Sequence, residues 1–510
     1  MKRLENIAGE IDEIDVRSGD REVGVEAICH DSRSVDEGTL FVALRGDRAD
    51  GHDYVDQAIE RGASAVVVDR QFDRSVDVPV LEAQDTRAVL GPLAAYFYDY
   101  PSRELDVVGI TGTNGKTTIS HLLEAMFSAS GRSAGVIGTI EVRWNGASRT
   151  TPNTTPSGLV LQRTLREMAD DGVDVAIVEV SSHGLALGRV DGTRFTIGLF
   201  TNLSRDHIEF HGSLEEYRRA KWRLFDRLLP ASKVDEATPP VAVVNTDNDE
   251  GRRLVDHLLV DATDIVVAAH GTGEPRDNSS DRWFGAREIE TSVDGISASV
   301  RESKGCEYRI TAPLPGRFNI ENALGAVAVA RLAGVSKRDV TTGLATTRGV
   351  PGRMERVDGE TDGPAVIVDY AHTPAALQRV LETLRPLTED NLWIVFGCGG
   401  DRDRSKRAPM GRIAARCADR VVVTSDNPRT EDPGRIIDDI VEGLGDDSGG
   451  DWRREPDRRQ AIVDTVVRAG PKDVILVAGK GHETYQEQNG RRIDFDDRKV
   501  VRQAFRRRGD

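Results

Sequence analysis

The ten residues Gly109 to Thr118, GITGTNGKTT, restrict this chain more than any other stretch, because they set a glycine-rich turn between a buried strand and an amphipathic helix. Leu105 to Ile110 reads as the strand, and Ile119 to Ser130 repeats apolar residues at helical spacing. Between them Gly112 and Gly115 let backbone N–H groups approach a polyphosphate, with Thr113, Asn114 and Thr118 completing the cradle at a helix N-terminus. Lys116 supplies a point charge, and Thr117 a hydroxyl suited to phosphate-bound Mg²⁺. Counted from Gly109 the pattern is G-x-x-x-x-x-G-K-T, one residue longer than the commoner phosphate loop. Strand, glycines, lysine and helix all agree, which favours ATP chemistry over a turn that holds a lysine by chance.

At 510 residues the chain is long enough for about three domains. A net charge of −17 would repel a phosphate polymer, so nucleic acid is not an expected partner. Only ten of the 68 basic residues are lysine; adaptation to high salt and plain solubility both account for an acidic, arginine-rich surface. Cys29, Cys306, Cys398 and Cys417 are scattered, with no C-x-x-C pair to suggest zinc or a disulfide framework. With an N-terminus that turns acidic and no apolar run of spanning length, the expectation is a cytoplasmic protein not inserted in a membrane; a monomer is expected, though nothing in the residues sets the oligomeric state.

Along the chain, β-rich runs at 39–44, 65–68 and 78–81 alternate with a helical pattern at 54–61, predicting a small N-terminal α/β domain. After the turn at Tyr100-Pro101-Ser102, strands are predicted at 105–110, 134–138, 174–180, 196–201 and 241–245 with helices between, the rhythm of a mostly parallel sheet. A polar stretch at 271–282 precedes an antiparallel patch at 289–309. The pattern breaks at 346–352, and strands at 364–369, 392–396, 420–424 and 473–478 predict a second nucleotide-type sheet; 445–451 reads as a solvated loop.

Three further positions suggest chemistry. Glu179 ends a predicted strand, where α/β sheets place ligands, and its carboxylate could hold Mg²⁺. Asn202 to His207 follows the next predicted strand, 196–201, and places His207 at a neighbouring strand end, though neutral histidine is an uncommon ligand for that ion and each residue alone could be structural. Lys221 stands among arginines in a lysine-poor chain. A solvated helix charge is the plain explanation; the alternative is chemistry that arginine cannot do, since an amine can lose its proton and take up CO₂ as a carbamate.

GTNGKTT at 112–118, EVSSH at 179–183, NLSRDHIEFHG at 202–212, AKWRLF at 220–225, GRFNIEN at 316–322, PGRME at 351–355, DYAHTP at 369–374 and GCGGDRDRSKR at 397–407 form an ordered set. Together they resemble the Mur ligase family over essentially the whole chain, and DNPR at 426–429 with GKGHE at 479–483 narrows the likeness to the branch that adds diaminopimelate. The resemblance implies three α/β domains: 1–102 binding the uridine nucleotide, 103–347 a P-loop-type ATPase domain, and 348–510 a Rossmann-like domain for the amino acid. It implies that ATP phosphorylates the D-glutamyl γ-carboxylate of UDP-N-acetylmuramoyl-L-alanyl-D-glutamate, and that an amine of meso-diaminopimelate then attacks the acyl phosphate. Two anions must meet in that reaction, so metal ions and lysines are needed to neutralise them.

By the same resemblance Lys116 touches the phosphates, Thr117 and Glu179 hold one Mg²⁺, and His207 with carbamylated Lys221 holds a second. Ser32, Asn153, Thr154, Thr155, Ser181 and Arg189 are implied for the uridine substrate, Asn319 and Arg353 for ATP, with His372 a less specific candidate. For the amino acid the set is Arg402, Asp426, Asn427, Pro428, Arg429, Gly479 and Glu483. Arg429 offers a planar fork to the far carboxylate that distinguishes diaminopimelate from lysine, and Glu483 would face an ammonium. DNPR could also be no more than a turn, since Asn-Pro initiates turns. The other class is a nucleotide-binding protein without turnover; substrate-stimulated phosphate release would separate the two.

Overall fold

A computed structural model describes the chain apart from residues 47–48, 235–237, 262–263, 274–281, 304, 358–362, 446–450 and 510. Two compact units divide it: Met1–Gly285 with Gly325–Val340, and Ala286–Leu324 with Thr341–Asp510. Both are α/β and mostly parallel, as expected. Most of the polar stretch at 271–282 and of the loop at 445–451 lies outside the described residues, although Asp451 already opens a strand, Asp451–Arg454.

Two large sheets and a short antiparallel pair, Lys2–Arg3 with Gly24–Val25, lie in the first unit. The N-terminal one has five strands in the spatial order Ile14–Ser18, Val80–Ala83, Ala63–Asp69, Thr39–Val42 and Ala27–Cys29, parallel except for the first. In the central sheet the parallel strands run Ala134–Ile137, Val175–Glu179, Asp106–Thr111, Ile197–Phe200, Val241–Asn245 and Val266–Gly271. Helices cover both faces, so the middle strands are apolar on both sides: Val107, Val108 and Ile110 are all buried. An antiparallel hairpin, Val142–Trp144 with Ala147–Arg149, extends the edge beyond Ala134–Ile137; its turn residues Asn145 and Gly146 both have positive φ.

Helix Lys116–Ala129 forms because Ile119, Leu122, Leu123, Met126 and Phe127 recur at helical spacing, and that stripe is buried. Each such side chain contributes about 1.5–3 kcal/mol by leaving water. Gly109 is not part of the turn. It lies inside strand Asp106–Thr111, where a Cβ would come within 2.8 Å of the Phe195 ring, so the turn proper begins at Gly112.

In the second unit the expected antiparallel patch comprises Gly295–Glu302 paired with Cys306–Ala312. Its main sheet runs Glu355–Val357, Ala365–Asp369, Val474–Ala478, Leu392–Phe396, Arg420–Val423 and Asp451–Arg454, antiparallel only at the first strand. Behind the carboxyl ends of two of these strands sits a fully buried ion pair: Arg458 binds Asp497 and also donates to the carbonyls of Ala478 (3.0 Å) and Ser425 (3.4 Å). Among the described residues no helix is long and apolar enough to cross a membrane.

Candidate active site

The phosphate cradle is held from the neighbouring strand. Thr113 N–H donates to the Asn202 carbonyl (2.8 Å), Asn114 N–H to Asn202 Oδ1 (3.0 Å), and Thr201 Oγ1 to the Asn114 carbonyl (2.6 Å). Gly112 has φ +143° and Gly115 φ +93°, values that L side chains rarely adopt. At Gly112 a Cβ would lie 1.9 Å from Thr201 Oγ1, so glycine is required for space as well. The helix then starts at Lys116, leaving the amides of its first turn, including those of Thr117 and Thr118, without intrahelical acceptors.

Glu179 is the last residue of its strand and is 1% exposed. Its Oε2 accepts from Thr117 Oγ1 (3.0 Å) and Thr139 Oγ1 (2.7 Å), while Oε1 lies 3.4 Å from Ser120 Oγ. Hydroxyls are thus its side-chain partners. A buried carboxylate so placed, beside the helix-start threonine, fits a divalent cation.

Lys221 is 1% exposed, which excludes a solvated helix charge. Its Nζ and that of Lys116 both donate to the Gly112 carbonyl at 2.8 Å, and Lys116 also reaches the Thr113 carbonyl. Burial, and then the neighbouring Lys116, hold the Lys221 amine well below the ordinary lysine range. Its Nζ lies 4.7 Å from the centre of the Tyr217 ring. Tyr217, whose phenol is pushed up to about 12 by burial, hydrogen-bonds Thr113 Oγ1 at 3.0 Å. Sequence reasoning passed over Tyr217, Thr139 and Ser120, none of which has a motif signal of its own.

His207 is not at a strand end. It lies seven residues beyond strand Ile197–Phe200, at φ +52° before the short helix Ile208–His211, with its side chain 45% exposed. Its ring is 4.8 Å from that of His183 and 6.4 Å from that of Tyr217. His207 and Lys221 therefore both lie near the Tyr217 ring.

Of the residues expected at the uridine substrate, three form one cluster. Thr155 Oγ1 bridges the Glu179 carbonyl (2.8 Å) and Ser181 Oγ (3.0 Å), and Arg189 Nη1 donates to the Thr155 carbonyl (2.9 Å). Thr154 joins them through Thr139 at 3.1 Å, whereas Asn153 is exposed on the same loop. Ser32 stands in the N-terminal sheet region, where its hydroxyl donates to Gln57 Oε1 at 2.6 Å.

In the second unit, Asn319 is buried, donating to the Pro315 carbonyl (2.8 Å) and accepting from Asn322 (3.0 Å). Arg353 stacks over Tyr370 at 5.0 Å, and exposed His372 bonds the Tyr370 carbonyl. The DNPR and GKGHE segments meet: Asn427 Nδ2 donates to Glu483 Oε2 at 2.8 Å, and a Cβ on Gly479 would be 2.5 Å from Asp426 Oδ2. Burial pushes the Asp426 carboxyl up, opposed by Arg458 and Lys480. Arg429, at φ +52°, donates Nη1 to the Gly400 carbonyl (2.7 Å) and lies 3.5 Å from Glu487. Arg429 and exposed Arg402 both border Gly399, where a Cβ would lie 3.0 Å from Arg429 Nη1 and 3.8 Å from Arg402 Cγ; Pro428 closes on Gly400, where a Cβ would be 2.0 Å from the Pro428 carbonyl.

A glycine cradle at the carboxyl edge of a parallel sheet, with a buried carboxylate against its threonine, defines the class of P-loop nucleotide enzymes. The sequence matches the Mur ligase family, catalytic domain, over residues 24–98, the Mur ligase middle domain over 110–330, and the Mur ligase, glutamate ligase domain, over 352–481. It is 42% identical to the UDP-N-acetylmuramoyl-L-alanyl-D-glutamate--2,6-diaminopimelate ligase of Bacillus licheniformis, covering 96% of both chains. The enzyme of the same name from Geobacillus kaustophilus is 41% identical over 95% of this chain and 96% of its own. A solved structure bearing that name aligns with TM-score 0.75 at 33% identity, covering 100% of this chain and 99% of the other. The chain belongs to the Mur ligase family and is an ATP-dependent ligase.

Proposed function

We propose that this enzyme joins meso-diaminopimelate to the D-glutamyl γ-carboxylate of UDP-N-acetylmuramoyl-L-alanyl-D-glutamate in the cytoplasm, consuming ATP and forming ADP and phosphate in peptidoglycan precursor synthesis. Relatives at about 40% identity over nearly full length carry that activity in their names, which supports the substrate pair.

One observation carries the chemistry. Glu179 is hydrogen-bonded on its side chain to the nucleotide loop through Thr117, and on its backbone to the substrate cluster through Thr155. This supports a γ-phosphate and an acceptor carboxylate meeting on the two sides of one residue. Lys116 and the first-turn amides hold the phosphates, and Arg189 orients the anionic substrate. Mg²⁺, held by Thr117 and Glu179, would neutralise charge between the two anions. The depressed basicity of Lys221 supports carbamylation, since only the neutral amine adds CO₂; the carbamate oxygens, with His207, would complete a second cation site. On the amino-acid side, Arg429 and Arg402 receive the far carboxylate, and Asp426 and Glu483, the latter oriented by Asn427, hold the ammonium that does not react. The attacking amine must be neutral, and the oxygen it displaces leaves on phosphate.

Parallel ligation assays with meso-diaminopimelate, lysine and ornithine test the assignment. The expected product is a single new amide, with diaminopimelate preferred; equal or greater use of lysine would overturn the assignment of Arg429.

A further inference from the structure

The backbone on either side of Lys480 is shaped to bury it. Gly479 and Gly481 flank it at φ +112° and +53°, and both are sterically compelled: a Cβ on Gly479 would meet Asp426 Oδ2 at 2.5 Å, and one on Gly481 would meet the Gly352 carbonyl at 2.7 Å. Between them Lys480 turns inward and is 0% exposed. In a chain where only ten of 68 basic residues are lysine, this one is placed where its charge meets no water.

Its ammonium closes a three-residue ring. Nζ donates to Asn427 Oδ1 (3.1 Å) and to Glu483 Oε2 (3.2 Å), while Asn427 Nδ2 donates to the same Oε2 (2.8 Å). Glu487 N–H also donates to Asn427 Oδ1 (2.9 Å), so the amide has one orientation: oxygen toward Lys480, nitrogen toward Glu483. Both side-chain bonds to the Glu483 carboxylate thus fall on Oε2. Among the described residues Oε1 has no donor, and the side chain is still 21% accessible.

We propose that Lys480 is a positioning residue for the diamino acid: its buried ammonium occupies Glu483 Oε2 and fixes Asn427, leaving Oε1 as the oxygen of Glu483 that accepts from the substrate's non-reacting ammonium. This rests on the function proposed above. A compact ammonium suits the place because its donors diverge to two oxygens within a closed space, which a planar guanidinium would not enter. Without Lys480, Glu483 is free to turn inward or to accept from Asn427 with either oxygen, and the ammonium acceptor loses its fixed direction.

The test is steady-state ligation by Lys480→Met, with Lys480→Arg and Glu483→Gln beside it. The KM for meso-diaminopimelate is expected to rise by about ten- to a hundred-fold in Lys480→Met, the loss of one charge-assisted contact, with KM for ATP and for the uridine substrate unmoved. Lys480→Arg does not restore it. In the Glu483→Gln background, adding Lys480→Met changes that KM by less than about threefold, because both substitutions remove the same contact. An unchanged diaminopimelate KM, an equal rise in the ATP KM, or full additivity with Glu483→Gln would overturn the proposal. If Lys480→Met fails to fold, Lys480→Gln, which is uncharged but keeps a donor for Asn427, carries the same comparison. Wild-type enzyme that forms no amide with diaminopimelate would refute the proposed function itself, an outcome distinct from a working wild type indifferent to Lys480.

Discussion

Gly112→Ala should disable the nucleotide site while leaving the fold standing. The added Cβ would sit 1.9 Å from Thr201 Oγ1 and 3.0 Å from the Asn202 backbone nitrogen and oxygen, at φ +143°. A side chain in that backbone region costs about 1–3 kcal/mol. Moving Thr201 aside also forfeits its bond to the Asn114 carbonyl, worth about 1 kcal/mol. If the loop escapes the clash by leaving its cradle shape, the combined roughly 2–4 kcal/mol appears as an ATP affinity about 30- to 1000-fold weaker. Gly131→Ala is the control, since Gly131 is also left-handed, at φ +78°, but has nothing within 4 Å of a Cβ. It should cost about 1–2 kcal/mol of stability, from backbone strain alone, and leave nucleotide binding intact. Calorimetric titration with ATP, paired with urea midpoints for both variants, decides. Equal nucleotide affinity in the two variants would refute the claim that Gly112 is there to shape the cradle.

Three other outcomes follow from single features. Because burial and Lys116 depress the Lys221 amine, the unfolded chain binds the extra proton below the ordinary lysine value of 10.5, so this group's penalty is greatest at low pH and fades as pH rises toward that value. Lys221→Met should therefore raise the urea midpoint of nucleotide-free enzyme near neutrality, by less at pH 10, while abolishing ligation; a gain that grows with pH would contradict the sign. Arg429→Lys replaces a fork by a point charge and should narrow the preference for diaminopimelate over lysine by about 10–100-fold, measured as a ratio of kcat/KM. Arg458→Met strands the buried Asp497 carboxylate and should cost about 3–5 kcal/mol in urea denaturation, most of it recovered in Arg458→Met/Asp497→Leu; a loss equal in both would contradict the pairing.

What could be read from the residues was whatever is local. The cradle declares itself because strand, glycines, lysine and apolar helix face are contiguous, and Glu179 because a strand end is visible from its own apolar run. Spacing cannot distinguish a turn glycine from one that admits a ring, so Gly109 reads with the loop although the Phe195 ring, from 86 positions away, packs against it. The edge hairpin at 142–149 had its signal in Asn145-Gly146, but its strands are too short to show alternation. Strand Asp451–Arg454 is polar at the sheet edge and carries no β pattern at all. At the site, Lys221 stood out by composition, yet its burial and its shared carbonyl with Lys116 depend on a helix brought in from residue 214 onward. Tyr217 and Thr139 were invisible for the same reason: each acquires its place through tertiary contact, not spacing. The position of His207 is not legible in the sequence, because the chain leaves strand Ile197–Phe200 early and crosses a loop before the histidine.

The central claim is that this cradle activates a carboxylate by phosphorylating it. Substrate labelled with ¹⁸O in the D-glutamyl γ-carboxylate, turned over with ATP, Mg²⁺ and meso-diaminopimelate, should release phosphate carrying one labelled oxygen per amide formed. Unlabelled phosphate, with the amide still made, would contradict it.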